Sequence, residues 1–449
     1  MSLIVNRFIS GDTMEPYNLV SLAGIFLLLG FAWLCSANKR QMNWRVILWG
    51  TGLQVFFACF IFVVPVGSKI FLVINDVVIK VLDSATAGTR FLFGRLALPP
   101  GTTDETGQTS LGFYLAFQGL ATIVFFAALM GILYHLRIMP LIIRGFAYVF
   151  TKLMRISGAE SLCTSSNIFV GVESALTVRP HLDTMTKSEL TTILTAAMAT
   201  VASNVLAVYV FALQTHFPTI AAHLVSASIL SAPAALVMSK ILLPETETPE
   251  TLGLHVKPEY SRESNIIEAI INSAHAGVKL IVGICALLLA LLGLVALMDL
   301  IIGGLGGWIN KLIGLNIDWT LKGLLGYLFY PFTLIIGVPI QDAAEISKII
   351  GERTVVTEVT AYQDFAVLLG RDILQHPRSA VICTYALCGF AHVASLAIFV
   401  GGLSALAPGR TKDLSTLGPR ALLAATLACL MTAAVAGTFF NQGSILLGQ

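Results

Sequence analysis

Charge is what this sequence has least of. Only 12% of its 449 residues are Asp, Glu, Lys or Arg, against about 25% in soluble domains. Mean hydropathy is +0.84. That deficit excludes a water-soluble fold and places the chain among polytopic membrane proteins. No basic cluster is interleaved with aromatics, so nucleic acid is not a partner. Neither HExxH nor GxSxG occurs, and GVES (Gly171–Ser174) is not a nucleophile elbow. His392 and Ser395 have a helical spacing that brings two side chains together, but a lone His–Ser pair is thin support for a hydrolase. The chain therefore reads as no enzyme. The cysteines (Cys35, Cys59, Cys163, Cys285, Cys383, Cys388, Cys429) lie in apolar stretches without CxxC spacing and read as packing residues rather than metal ligands. The residues before the first apolar run lack a basic stretch, so no cleavable leader is expected.

What is present is a series of apolar runs. Spanning a bilayer takes about 20 residues. Runs of that kind lie near 18–37, 45–65, 112–134, 188–213, 218–243, 276–302, 379–404 and 419–440, which predicts about eight transmembrane helices. Lys39, Arg40 and Arg45 follow the first run, Arg137, Arg144, Lys152 and Arg155 follow the third, and Arg410, Lys412 and Arg420 precede the last. With these loops on the cytoplasmic side of an inner (plasma) membrane, both termini are extracytoplasmic. QTHFPT (Gln214–Thr219), on the other side, carries no Lys or Arg. Val66–Leu96 and Ile142–Ile156 read as amphipathic interfacial helices, and PETETPETLGLHVKPEYSRESN (Pro244–Asn265) as a solvated linker.

Two regions resist a plain helical reading. One is about 158–182, containing SSNIFVGVESALTVRP (Ser165–Pro180). The other is about 321–368, containing GYLFYPFTLIIGVPIQDAAEISKIIGERTVVTEVTAYQDF (Gly326–Phe365). Each has an apolar arm, a Gly or Gly-x-Pro break, and a second arm with a carboxylate. Paired re-entrant hairpins in corresponding positions are the pattern of an inverted-repeat transporter with its site at the midplane. Broken backbone at that depth is tolerated where protein or a water-filled cavity covers it. The expected fold class is an all-α polytopic membrane protein. Residues 1–110 form an N-terminal scaffold, 111–243 a first transport half with hairpin 1, 244–275 a linker and interfacial helix, and 276–449 a second half with hairpin 2. Asp342, Glu345, Lys348, Glu352 and Arg353 read as ion-paired or cavity-facing, Asp364 as ending its arm, and Tyr209 and Tyr362 as packing residues with a polar tip.

These blocks resemble the concentrative nucleoside transporter family, in its shorter bacterial-type form. The resemblance is carried by GAESLCTSSNIFVG (Gly158–Gly171) with Glu173 and Arg179-Pro180, by Met185–Val210, by GYLFYPFTLIIGVP with VTEVTAYQDF, and by TYALCGFAHVASLAIFVGGLSALAPGRTKDLS (Thr384–Ser415). It extends from about residue 110 to the C-terminus. It implies a homotrimer of eight-span subunits and sodium-driven nucleoside uptake by alternating access, with no cofactor besides the coupling ion. By the same resemblance Asn167 and the carbonyl of Val170, with Asn204 and the carbonyl of Val205, match sodium ligands. Asn204 stands where Ser is more usual. Val172 and Glu173 match the base-binding tip. Glu358 matches the carboxylate that grips ribose hydroxyls, a use that suits charge-assisted hydrogen bonds. Phe390, His392 and Ser395 match residues of the following broken helix.

The chain departs from the family pattern at the hairpin tip and at His392. Keeping Arg179-Pro180 in register needs a one-residue deletion, which puts Glu173 at the base-binding Glu. Without the gap, Ser174 takes that place. The gapped register is preferred because a buried Glu without a role is costly. In either register apolar Val172 replaces a polar residue. His392 stands where the family has Asn. It can still donate to a sugar oxygen, and it can also carry a proton. Proton coupling, or transport of a related riboside or nucleobase, is the alternative reading.

Overall fold

A computed structural model describes residues 16–99, 101–104, 107–259, 263–314 and 316–441. Among these residues the chain is helical, with only isolated bridges in place of sheet. Three N-terminal helices come first: α1 (Pro16–Leu34), α2 (Trp44–Phe62) and α3 (Pro65–Phe93). A π turn leads into α4 (Thr122–His135), and α5 (Ile138–Met154) follows. Then a pattern occurs twice. In the first round, α6 (Gly158–Asn167) and a 3-10 segment (Val172–His181) precede a divided helix, α7 (Lys187–Ala199) and α8 (Ser203–Leu213), and an unbroken helix, α9 (Ile220–Leu242). After α10 (Ile266–Ile313) and α11 (Leu321–Ile335) comes the second round. Here α12 (Ile340–Val355) and α13 (Glu358–Gly370) precede α14 (Pro377–Leu387) and α15 (Val393–Leu406), which are again halves of one divided helix, and then α16 (Thr411–Thr438).

Local chemistry sets these boundaries. Ser157 and Glu160 form a capping box at α6, and Thr186 and Glu189 form one at α7, each satisfying otherwise orphaned N–H groups. Asn265, Thr320 and Thr357 cap α10, α11 and α13 through their side chains. Helices α9 and α16 form the centre of the molecule, each with 89% of its most apolar window buried, whereas the figure for α10 is 6%. At about 1.5 Å per residue, α10 is about 72 Å long, more than twice the bilayer's apolar thickness of about 30 Å. It runs unbroken through the boundary expected between interfacial and spanning segments at 275–276.

Seven helical stretches among the described residues are long and apolar enough to cross a membrane. The expected span at 379–404 is not one of them, because the helix is interrupted between Leu387 and Val393. Gly389 sits in that interruption at φ +128°, a conformation closed to ordinary L-residues. A Cβ there would lie 2.8 Å from the Ala199 carbonyl oxygen and 2.9 Å from Cys429 Sγ. The two divided helices therefore break against each other, with Cys429 Sγ donating to the Cys388 carbonyl at 2.9 Å. Gly389→Ala is expected to lose at least about 1–3 kcal/mol, read as a lower thermal midpoint and a reduced folded yield in detergent.

The stretch expected as the second hairpin contains two breaks rather than one. Glu358 does not lie at the first, Gly337–Pro339. Ser21 Oγ donates to the Ile336 carbonyl at 2.7 Å and Arg378 Nε to the Gly337 carbonyl at 2.8 Å, which ties this break to α1 and the start of α14. Glu358 follows a second break at Val356–Thr357, one whole helix of about 24 Å further on.

Candidate functional site

Thr357 has extended backbone and its hydroxyl accepts from the Thr360 amide, so Glu358 becomes the first residue of α13. A carboxylate is electrostatically favoured at that helix end. Glu358 is buried, at 4% exposure. Its Oε1 accepts from the Tyr209 hydroxyl at 2.8 Å. Its Oε2 lies 2.7 Å from His392 Nε2, at ion-pair distance but without an aligned hydrogen bond, which leaves that oxygen acceptor capacity for a further donor.

His392 is the N-cap of α15. Its Nδ1 accepts from the Ser395 amide at 3.2 Å, and Ser395 Oγ lies 3.4 Å from the His392 amide. Nδ1 thus carries no proton, and the ring's one N–H is Nε2, beside Glu358. The His–Ser spacing seen in the sequence is accordingly a helix cap. Ser395 Oγ donates to the Phe390 carbonyl and to the His392 carbonyl, the latter at 2.8 Å. Phe390 is half-buried beside Phe399, ring centroids 6.4 Å apart.

A second group gathers at the first break. Asn167, fully buried at the end of α6, donates to the Cys163 carbonyl at 3.0 Å and accepts from Ser174 Oγ at 2.9 Å. The Ser203 amide donates to the Phe169 carbonyl at 3.0 Å, stitching the start of α8 to this break. Next to it, Asn204 Oδ1 is buried with no hydrogen-bond partner among the described residues, as is Ser166 Oγ. Val205 is buried in the first turn of α8. The donor set is amide, hydroxyl and carbonyl oxygen, which suits a hard monovalent cation, and the orphaned Asn204 oxygen is the observation that fits one.

Asn204, Ser166, Val170, Gly171 and Glu173 face a cavity of about 890 Å³. Its opposite wall comes from α4 and α10, and Arg137, Arg144, Glu259 and Glu263 also border it. Glu173 is exposed to this space, so the premise that it is a buried carboxylate does not hold. Ser174, its rival in the other register, is buried against Asn167. The side chain of Val172 lies outside the described residues. Glu358, His392, Ser395 and Phe390 do not border the cavity.

Other expectations divide. Glu345 pairs with Lys348 at 2.9 Å, and Lys322 holds Glu352 at 2.7 Å together with Asp364. Asp342 is buried and accepts from the Gln375 and His376 amides and the Ser379 hydroxyl. Arg353 is in no ion pair among the described residues and does not line this cavity. It is fully buried, and its Nη1 donates to the Ala386 carbonyl at 2.7 Å in the last turn of α14, where a cation favourably meets a helix C-terminus. Cys35 is exposed rather than packed. Tyr209 is, as expected, a packing residue with a polar tip, but its partner, Glu358, was not legible in the sequence. The only available signal was the position of Tyr209 about one and a half turns beyond Asn204 on the same helix.

Sequence models described as Na+ dependent nucleoside transporter N-terminus and C-terminus match residues 23–96 and 223–437, and one described as nucleoside recognition matches 116–216. A nucleoside permease, NupC, of Helicobacter pylori is 34% identical over 94% of this chain and 98% of its own length. Solute carrier family 28 member 3 of Mus musculus is 36% identical over 97% of this chain, which spans 61% of that longer protein. The solved structure of CNTnw in an inward-facing substrate-bound state superposes with a TM-score of 0.83 at 34% identity, covering 94% of this chain and 98% of the other.

Proposed function

The chain belongs to the concentrative, Na+-dependent nucleoside transporter family, as a membrane transporter and not an enzyme, and from that premise we propose that it is a sodium-driven nucleoside symporter. The observation that carries the reading is Glu358, a buried carboxylate held from two sides with one oxygen still able to accept. A ribose offers two vicinal hydroxyl donors, and charge-assisted bonds to a carboxylate are strong and directional. His392 Nε2–H supplies a donor beside it. Glu173 reaches the base from the cavity side, with Val172 in the adjoining tip position. Phe390 offers an apolar face, and Ser395 holds the start of α15 in place.

Asn167, Asn204 and the carbonyls of Val170 and Val205 would hold the sodium ion, which supplies a positive charge where α6, the first break and α8 meet. The short hairpins are then α6 with the 3-10 segment, and α12 with α13. In this reading the cavity faces the cytoplasm, because Arg137 and Arg144 border it. Both termini are extracytoplasmic, Val66–Leu96 lies at the interface, and the bare apolar surface of α10 is covered by lipid and by partner subunits of a trimer in the plasma membrane.

The alternative is proton coupling through His392. It has less support, because protonating Nδ1 would turn the acceptor of the Ser395 amide into a second donor facing it. Labelled uridine uptake into proteoliposomes separates the two. A sodium gradient is expected to drive accumulation and a proton gradient is not. The reverse result transfers coupling to the proton. Asn204→Ala is expected to raise the sodium concentration for half-maximal uptake by about tenfold, the worth of roughly one ionic hydrogen bond, while leaving saturable uridine transport.

A further inference from the structure

We propose that Tyr209 is the positioning residue through which occupancy of the cation cradle sets nucleoside affinity. The inference rests on the sodium and ribose assignments just made, and it adds the link between them. Helix α8 has a job at each end. Its start is stitched to the first break by the Ser203 amide and carries Asn204, whose Oδ1 has no partner among the described residues. Five residues on, about 7.5 Å along the helix axis, Tyr209 is fully buried and donates its hydroxyl proton to Glu358 Oε1 at 2.8 Å.

The Tyr209 ring is clamped. It stacks on Tyr362 with centroids 4.3 Å apart and planes at 25°. Tyr362 lies one turn after Glu358 in α13, and its own hydroxyl donates to the Thr384 carbonyl at 3.1 Å, at the end of α14. Helix α8 therefore meets the carboxylate's helix through an aromatic wedge and one hydrogen bond. A rigid helix of about three turns transmits a shift at its first turn to its middle. An ion that satisfies Asn204 Oδ1 would add a second tie at the start of α8, beside the Ser203 amide, and Tyr209 would then hold Glu358 in the rotamer that accepts ribose. Differential affinity between ordered and loose states is what thermodynamic coupling requires. Direct attraction between ion and carboxylate would act without the phenol, so the two mechanisms are separable.

The test is uridine binding to the purified full-length chain by isothermal titration calorimetry, in sodium chloride and in choline chloride at equal ionic strength. Sodium is expected to tighten wild-type binding by about tenfold or more. In Tyr209→Phe that ratio is expected to fall to about twofold or less, while the rise in thermal midpoint caused by sodium alone persists. Tyr362→Phe keeps the stack and the Tyr209 hydroxyl and is expected to keep the ratio. The wild-type chain gives a measurement that needs no variant: 2′,3′-dideoxyuridine, which lacks the hydroxyls Glu358 would read, is expected to bind with little sodium dependence. A wild-type ratio retained by Tyr209→Phe, or retained with the dideoxynucleoside, overturns the link and leaves the sodium reading intact. An equal loss in Tyr362→Phe overturns it as general loosening. Uridine binding by the wild type with no sodium effect overturns the sodium reading and the link together.

Discussion

Glu358→Gln is expected to remove nearly all sodium-driven uridine uptake while the protein still folds. The amide is isosteric, so packing at the start of α13 is kept. What disappears is the negative charge that Tyr209 and His392 now surround. Each hydrogen bond to a charged group is worth about 1.5–3 kcal/mol. Loss of charge at both ribose contacts therefore predicts at least about a 100-fold drop in uptake at subsaturating uridine. A side-chain amide also presents a donor either to the Tyr209 hydroxyl, which loses its acceptor, or to the His392 Nε2 side. The check is initial uptake rate against thermal midpoint for the same preparation. A rate within about twofold of wild type would contradict the ribose assignment, since among the described residues no other buried carboxylate lies beside Tyr209 and His392. A collapse in thermal midpoint would mark Glu358 as structural.

The second large effect is on stability. Lys240, at the end of α9, is 3% exposed and lies 2.8 Å from Glu160 Oε2, itself 1% exposed, and 3.3 Å from Glu245. It also donates to Ser188 Oγ at 3.0 Å. Glu160 is already committed to the capping box of α6, so the pair ties α6 to α9 and the linker. Lys240→Met leaves a buried carboxylate without its cation, which costs about 3–5 kcal/mol. The expected result is a strongly lowered thermal midpoint in detergent. The double variant Lys240→Met with Glu160→Gln is expected to recover a large part of the loss, because removing both charges removes the desolvation penalty. Failure of the double variant to recover would mean that the capping box, and not the ion pair, carries the energy.

The placement of the candidate residues was partly legible. Asn167, Val170, Glu173 and Asn204 lie about one break, the last three also on the cavity, and Glu358, His392 and Ser395 lie about another break. These residues stood out because polar groups in an apolar chain are expensive, and breaks leave backbone atoms that must be used. The second hairpin was harder. Gly337-Val338-Pro339 and Val356-Thr357 both interrupt helices, and nothing local says which break faces the site. That was decided by α1, whose Ser21 takes up the Ile336 carbonyl with Arg378 beside it. The partners of Tyr209 and Arg353 were not legible for the same reason. Each acts on a group far away in sequence, Glu358 in one case and the Ala386 carbonyl in the other.

The sequence by itself determined the medium, most of the helical stretches, the caps that start several of them and the chemical types at the breaks. These follow from hydropathy, capping residues and glycine, all of which act within a few residues of the chain. Only the tertiary structure decided which breaks meet, which oxygen of a carboxylate stays open, and which of two neighbouring residues, Glu173 or Ser174, faces the cavity. Those outcomes depend on contacts between segments separated by a hundred residues or more, such as Tyr209 with Glu358 and Gly389 with Ala199. Local preference carries no information about them.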